Sequence, residues 1–312
     1  MRRLAAALAG AFVFAAQAAP KPTPTPAKKT PAGTKGTSKK SPSPAPKGKG
    51  RTPKAAPAKL APAPQTPPPD PELAKFSTIN SLGMRFVKVG DVEFCIWPVR
   101  VRDYAAYWHA TGGENGAPWQ KPGFAQTPDH PVVCVSWQDA GEFCKWLTTK
   151  ERAEKRLPAD SEYRLPSDIE WSRAVALPGE KGSQPAERDL SNLEAYPWGT
   201  QWPPPPGAGN FAGEETRGPT AIPGYRDSFV NTSPVGSFLP NAAGLFDMAG
   251  NVWQWCRDPW AKGTAERTLR GSSWFNGVLP LSLLSSARIK ANPDALSDAF
   301  GFRIVIAPVG KK

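Results

Sequence analysis

Between Met84 and Pro98 apolar and polar positions alternate, with Val, Phe and Ile dominating the apolar set. This pattern predicts strands, with Gly90-Asp91 as the turn that joins them. From Val101 to Ala110 the spacing changes. Tyr104, Ala105 and Trp108 recur at helical intervals, and Gly112-Gly113 closes a first short helix. Val132 to Val135 reads as a brief apolar strand. Ser136-Trp137-Gln138-Asp139 then places a Ser and an acid three residues apart, the reciprocal cap that starts a helix. Ala140, Phe143, Cys144 and Leu147 continue it on one face to about Arg152. A second such cap, Ser167-Asp168-Ile169-Glu170, follows Pro166 and turns Trp171, Ala174 and Val175 inward. Beyond Leu177 no long helical period appears. Residues 178 to 309 are rich in Gly, Pro, Asn and Trp, which predicts long ordered loops with short strands.

Before Phe76 there is no such patterning. Met1-Arg2-Arg3, an apolar stretch from Leu4 to Ala16 and Ala16-Gln17-Ala18 form the n-region, h-region and cleavage site of a secretory signal peptide over 1–18. The alternative, a retained anchor helix, suits the stretch less well because it is short and Pro20 follows it, so no transmembrane anchor is expected. No Cys follows the cleavage site, which argues against a lipid anchor there. Residues 20 to 69 hold 15 of the 38 prolines and eleven basic residues, with no acid and no aromatic. The stretch 19–75 is therefore expected to be a disordered, basic, partly polyproline-like linker.

Composition alters this picture in one respect. The chain of 312 residues carries a net charge of +12, which would suggest nucleic-acid binding. However, all 27 acidic residues lie from Asp70 onward, against 26 basic ones there, so the basicity belongs to the linker. Nucleic acid is not an expected partner, because the chain is expected to be exported to the periplasm or beyond and the linker has no aromatic stacking platform. The linker serves either as a solvated spacer or as an attachment to an anionic envelope polymer. All 12 tryptophans lie between Trp97 and Trp274, in the near-neutral part expected to form one domain over 76–312.

The segments PVVCVSWQDAGEFCKWL, YRLPSDIEWSRAV, YPWG, TSPVGSFLPNAAGLFDMAGNVWQW, LRGSSWF and SARIKANPDALSDAFGFRIV occur in that order. Together they resemble the formylglycine-generating enzyme, or sulfatase-modifying factor, family from about Met84 to Ala307. The resemblance implies an α+β fold, a variant of the C-type-lectin fold. It has low regular secondary structure, two main helices, a small mixed sheet and long ordered loops.

In that family, formylglycine enzymes oxidise a substrate cysteine with a copper ion held by two cysteines. Counted back from Ala287-Arg288, their positions fall here on Phe275 and Pro280. Neither side chain offers the soft donor Cu(I) requires, and no Cys occurs after Cys256, so no copper is expected. Trp253 and Ser272 match positions lining the family's oxygen-handling cleft, although core packing is the plainer reading of the tryptophan. Arg288 and Arg303 match family blocks and are expected as buried arginines bonding loop carbonyls.

The resemblance also implies structural calcium in two loop sites. One carries over Asn210, Phe211, Asp227 and Phe229, the other Asp247, Gly250, Val252 and Gln254. Side-chain oxygens and backbone carbonyls suit a hard cation. Gln254 stands where the family has Glu, which weakens the second site, and Asp227 and Asp247 also suit turns that bond their own backbone. Neither His109 nor His130 has the spacing of a metal triad, and Cys95, Cys134, Cys144 and Cys256 leave three pairings or free thiols open.

The expectation that follows is a non-catalytic exported domain binding a protein or small ligand through a loop surface at Phe275 to Leu284. The alternative is an oxidoreductase of the same scaffold, of formylglycine-generating or siderophore-maturation type, with a site that needs no cysteine.

Overall fold

The computed structural model describes residues 76–177 and 179–310. The expected leader over 1–18 and linker over 19–75 lie outside the described residues. Among the described residues nine strands are seen: β1 (Thr78–Ile79), β2 (Arg85–Val89), β3 (Val92–Cys95), β4 (Ser161–Arg164), β5 (Trp253–Pro259), β6 (Arg267–Arg270), β7 (Arg288–Ala291), β8 (Phe300–Phe302) and β9 (Val305–Pro308). The helices are α1 (Val101–Ala110), α2 (Trp137–Ala153), α3 (Asp168–Ala174) and the single turn α4 (Pro185–Arg188).

An antiparallel sheet runs β1-β2-β3-β9-β4, with Phe86 opposite Cys95 and Phe94 opposite Val305. Both of its faces are covered. Phe86, Cys95 and Ile306 face a core shared with Tyr104 of α1 and Phe143 and Leu147 of α2. Their neighbours Val87, Phe94 and Val305 face a second cluster with Trp171 of α3, Leu245, Met248 and Cys256. Successive residues of a strand point to opposite faces, so the strict alternation seen in the sequence becomes two apolar layers. The second sheet, β7-β6-β5-β8, is mixed, because β5 pairs with β8 in parallel. Its Trp253, Trp255, Leu269 and Phe302 complete the first core.

The expected caps form. Ser136 Oγ accepts from Asp139 N at 3.1 Å while Ser136 N donates to the Asp139 carboxylate at 2.9 Å. Ser167 and Glu170 exchange the same pair of bonds at 3.2 and 2.7 Å. One expectation fails: residues 132–135 are not a strand. The backbone turns at Cys134, whose φ is 55°, and successive amides go to different elements, Val132 N to Val99 O and Cys134 N to Ser297 O. A buried apolar run looks like a strand in sequence whether or not a neighbour continues the ladder. No helix of the described residues is long and apolar enough to cross a membrane.

Between α4 and β5 the chain is held by loop bonds and by a third, small cluster of Phe211, Ile222, Tyr225 and Ala249 with Leu283. The stacked rings of Tyr196 and Trp198, 4.8 Å apart, lie against it.

Candidate functional site

β5 carries Trp253 into the interior beside the loop that follows β6. Asn276 ties this loop down. Its Oδ1 accepts from Trp253 Nε1 at 2.9 Å, Ser273 Oγ at 2.8 Å and Ser273 N at 3.1 Å. Ser272 precedes this node with φ 67°, and its buried hydroxyl has no hydrogen-bond partner in the protein. Trp274 meets Phe124 and Phe275 edge to face. Trp253 is thus tied to the loop that carries Ser272 through Asn276, which the sequence reading did not single out. An Asn three positions after a Ser in a Gly-rich loop signals a local turn at most, because the bond that ties it to the core comes from Trp253 on β5.

Where the copper cysteines would stand, Phe275 is half-exposed and Pro280 opens a 3₁₀ turn, Pro280–Leu283. The surface from Phe275 onward is apolar, with Val278 41%, Leu279 48% and Leu281 40% exposed. Cys256, the last cysteine in the sequence, packs in the second core cluster. All four cysteines are free thiols. Burial pushes Cys95 up to about 12 and Cys134 up to about 11, and raises Cys144 and Cys256 as well. A thiol held protonated is a poor nucleophile and a poor metal ligand.

The histidines lie elsewhere. His109 ends α1, and His130 bonds Thr232 Oγ1 through Nδ1 at 2.9 Å, with its pKa lowered by burial. Among the described residues no group of three His, Cys, Asp or Glu is placed to hold a metal.

The first expected calcium set converges on Asp227. Its carboxylate accepts from Phe211 N at 2.7 Å and from Phe229 N at 2.8 Å. The buried Asn210 Oδ1 has no partner, although its Nδ2 donates to Asn231 O at 2.8 Å. A further carboxylate, Glu215, was not anticipated. Its Oε1 accepts from Asp227 N at 3.2 Å, and its Oε2 is buried without a partner. Burial first, then the neighbouring Glu215, push the Asp227 carboxyl above the usual carboxylate range. Two carboxylates held together, one with its Oε2 unpartnered, and the unpartnered Asn210 Oδ1 form an oxygen-rich place that suits a hard cation.

The second set is differently engaged. Gln254 Oε1 accepts from Arg303 Nε at 3.0 Å and Gln254 Nε2 donates to Asp247 O at 2.8 Å. Asp247 accepts from Gly236 N at 2.8 Å and Asn251 Nδ2 at 3.3 Å, and burial raises its pKa. Gly250 lies in a bridge with Asn210, and Val252 is buried. Arg303 also donates to Cys95 O at 2.8 Å and Phe246 O at 2.5 Å, as expected for a buried arginine bonding carbonyls. With a guanidinium on these oxygens and an amide N–H₂ pointing at a carbonyl, this donor set does not suit a divalent cation.

Arg288 does more than bond carbonyls. It lies with Arg188 and Arg270 around Asp168, and also pairs with Glu180 at 2.7 Å. This cluster locks α3 and α4 to β6 and β7.

Two sheets, two principal helices and long loops moored by buried polar side chains define a formylglycine-generating-enzyme-like domain. The chain belongs to the family described as sulfatase-modifying factor enzyme 1-like domain, whose model matches residues 73–308. It is 32% identical over 203 residues to the mouse inactive C-alpha-formylglycine-generating enzyme 2, covering 64% of this chain and 54% of that protein. With the formylglycine-generating enzyme of Thermomonospora curvata it shares 29% identity, covering 65% of this chain and 62% of the relative. The chain thus spans between about half and three fifths of the length of these relatives. In fold it is similar to PvdO from Pseudomonas aeruginosa, at 24% identity and a TM-score of 0.50, covering 69% of this chain and 80% of that one.

Proposed function

We propose that the domain is a non-catalytic member of its family that binds a partner through the loop surface at Phe275 to Leu284. The observation that carries this reading is the loop after β6. Positions that must supply thiolates for copper hold Phe275 and Pro280, and the same loop exposes Val278, Leu279 and Leu281. Apolar side chains gathered on an exposed loop suit the apolar face of a protein partner better than a polar small molecule. The mouse relative is named as an inactive formylglycine-generating enzyme, which agrees with such a role.

The test is direct. Purified protein incubated with Cu(I) and a cysteine-containing sulfatase-type peptide should yield no aldehyde and retain no stoichiometric copper after desalting. One copper per chain, or peptide aldehyde above a no-protein control, would sink the non-catalytic reading in favour of an oxidoreductase.

Calcium at the first loop site belongs to the same reading. Asn210, Asp227 and the carbonyls of Phe211 and Phe229 would hold it, and it would supply a cross-link between loops that have little apolar surface to bury.

We further propose that the protein is exported and that its basic linker attaches to an anionic envelope polymer. Removing residues 20–69, which hold eleven basic residues, should abolish binding to anionic envelope material that 0.15 M salt or more would otherwise weaken. Equal retention of both forms at every salt concentration would leave the linker as a spacer.

A further inference from the structure

The segment 210–222 carries the first cation site at one end and moors the loop surface along its length. Ala212 N donates to Asn276 O and Val278 N donates to Thr220 O, both at 2.8 Å. Ile222 N donates to Ala212 O at 2.8 Å and closes the segment on itself. Leu283, at the far end of the loop surface, is buried in the cluster of Phe211 and Ile222. Both ends of 276–283 therefore rest on 211–222.

Glu215 stands in the 3₁₀ turn Glu214–Thr216 of this segment. Its carboxylate lies directly against Gly213, where a side chain would meet Glu215 Oε1, so a glycine there leaves room for the acid to fold back toward Asp227. Like charges held this close disfavour one another unless a cation or a proton intervenes. A turn stabilised by Asp227 alone would account for the Phe211 and Phe229 amides. It would leave the buried Glu215 Oε2 and Asn210 Oδ1 without partners. A calcium-sized ion, taking oxygens at about 2.3–2.6 Å, would satisfy both and neutralise the pair.

We propose that Glu215 acts as an additional ligand, with Asp227 and Asn210, for a divalent cation of the calcium class, and that this ion fixes segment 210–222 and with it the Asn276–Leu283 loop. Partner binding at the loop is then calcium-dependent. This rests on both the calcium reading of the first site and the loop-surface reading above. The logic is that of any cross-link: without the ion the Glu214–Thr216 turn and the Asp227 turn are joined only by direct bonds such as Asp227 N–Glu215 Oε1 and Glu214 N–Tyr225 O, and the hydrogen bonds from Ala212 and Val278 open more often.

Amide hydrogen exchange on the full chain, with and without calcium chloride, tests it without needing the partner. Calcium should slow exchange at Ala212, Ile222 and Val278 by about tenfold or more. Leu269 of β6 should not change and serves as the reference. Glu215→Gln should need at least about tenfold more calcium for the same protection. Terbium luminescence, sensitised by Trp198, whose ring lies 5.3 Å from that of Phe211, reports occupancy independently. If neither calcium nor terbium binds the parent chain, the calcium reading fails and the proposal fails with it. If the ion binds and protects Ala212 and Ile222 but leaves Val278 unchanged, the calcium reading stands and the coupling to the loop is overturned. A Glu215→Gln chain that binds terbium like the parent removes Glu215 as a ligand. If that variant does not fold, Glu215→Asp, which keeps the charge and shortens the reach, should fold and still bind terbium more weakly; equal binding overturns the role.

Discussion

Asp168→Ala is expected to cost about 3–5 kcal/mol of stability, the range for removing one partner of a buried charge cluster. Asp168 is fully buried, and its two oxygens take Arg270 Nη1 at 2.6 Å, Arg288 at 2.8 and 3.0 Å and Arg188 Nε at 2.9 Å. Without it, three buried guanidiniums would share Glu180, which already accepts twice from Arg288, at 2.7 and 2.8 Å. Chemical denaturation of parent and variant measures the difference, and a loss below about 1 kcal/mol would show that the cluster relaxes or hydrates instead.

The same residue sets an acid limit. Burial alone would raise the Asp168 carboxyl, but Arg270, Arg288 and Arg188 outweigh it and hold it at about 2, against an ordinary 3.8. A carboxylate with a depressed folded pKa contributes stability that is fully present above the unfolded value and is lost as pH falls through the folded one. The stability gap between parent and Asp168→Asn should therefore be constant above about pH 5. It should narrow between about pH 4 and pH 2, by an amount on the order of 2 kcal/mol. A gap that does not change over that window would mean that the asparagine loses packing rather than charge.

Gly277→Ala is expected to detach the loop surface from segment 210–222. An added Cβ would run into the backbone oxygen of Thr220 and lie 3.0 Å from Ala212 Cβ. Backbone on the opposite side cannot swing away as a side-chain tip would. The two strands of chain must part, and the bonds Val278 N–Thr220 O and Ala212 N–Asn276 O go with them. At about 1 kcal/mol each, and with some overpacking strain, the loss is roughly 2–4 kcal/mol. The damage should be local. Exchange at Val278 and Ala212 should rise by a factor of ten or more while the β5–β6 ladder stays protected, and a ladder that loosens equally would place the defect in the whole domain.

Much of the fold was legible in the sequence because it depends on short-range rules. The α2 and α3 caps need only a Ser and an acid three residues apart, and α2 buries Ala140, Phe143, Cys144 and Leu147 as its periodicity required. The β2–β3 hairpin turns at Gly90-Asp91 as expected. Residues 132–135 misled because burial alone does not make a ladder. In the site, the residues at the two copper-cysteine positions, Phe275 and Pro280, were readable directly. Asn276 and Glu215 were not, since each is defined by partners on other segments: Trp253 lies 23 residues from Asn276, and Asp227 lies 12 from Glu215.

The sequence by itself determined the helices, the hairpin, the near-neutral tryptophan-rich domain and the loss of the copper ligands, because periodicity, capping and residue chemistry act over a few positions. Only the tertiary structure decided how the loops are held. Asp168 reaches Arg270 and Arg288 across 102 and 120 residues, Arg303 reaches Cys95 across 208, and Gln254 meets Arg303 rather than an open cation site. A buried polar atom must find a partner wherever the closed chain brings one, and that requirement has no local signature.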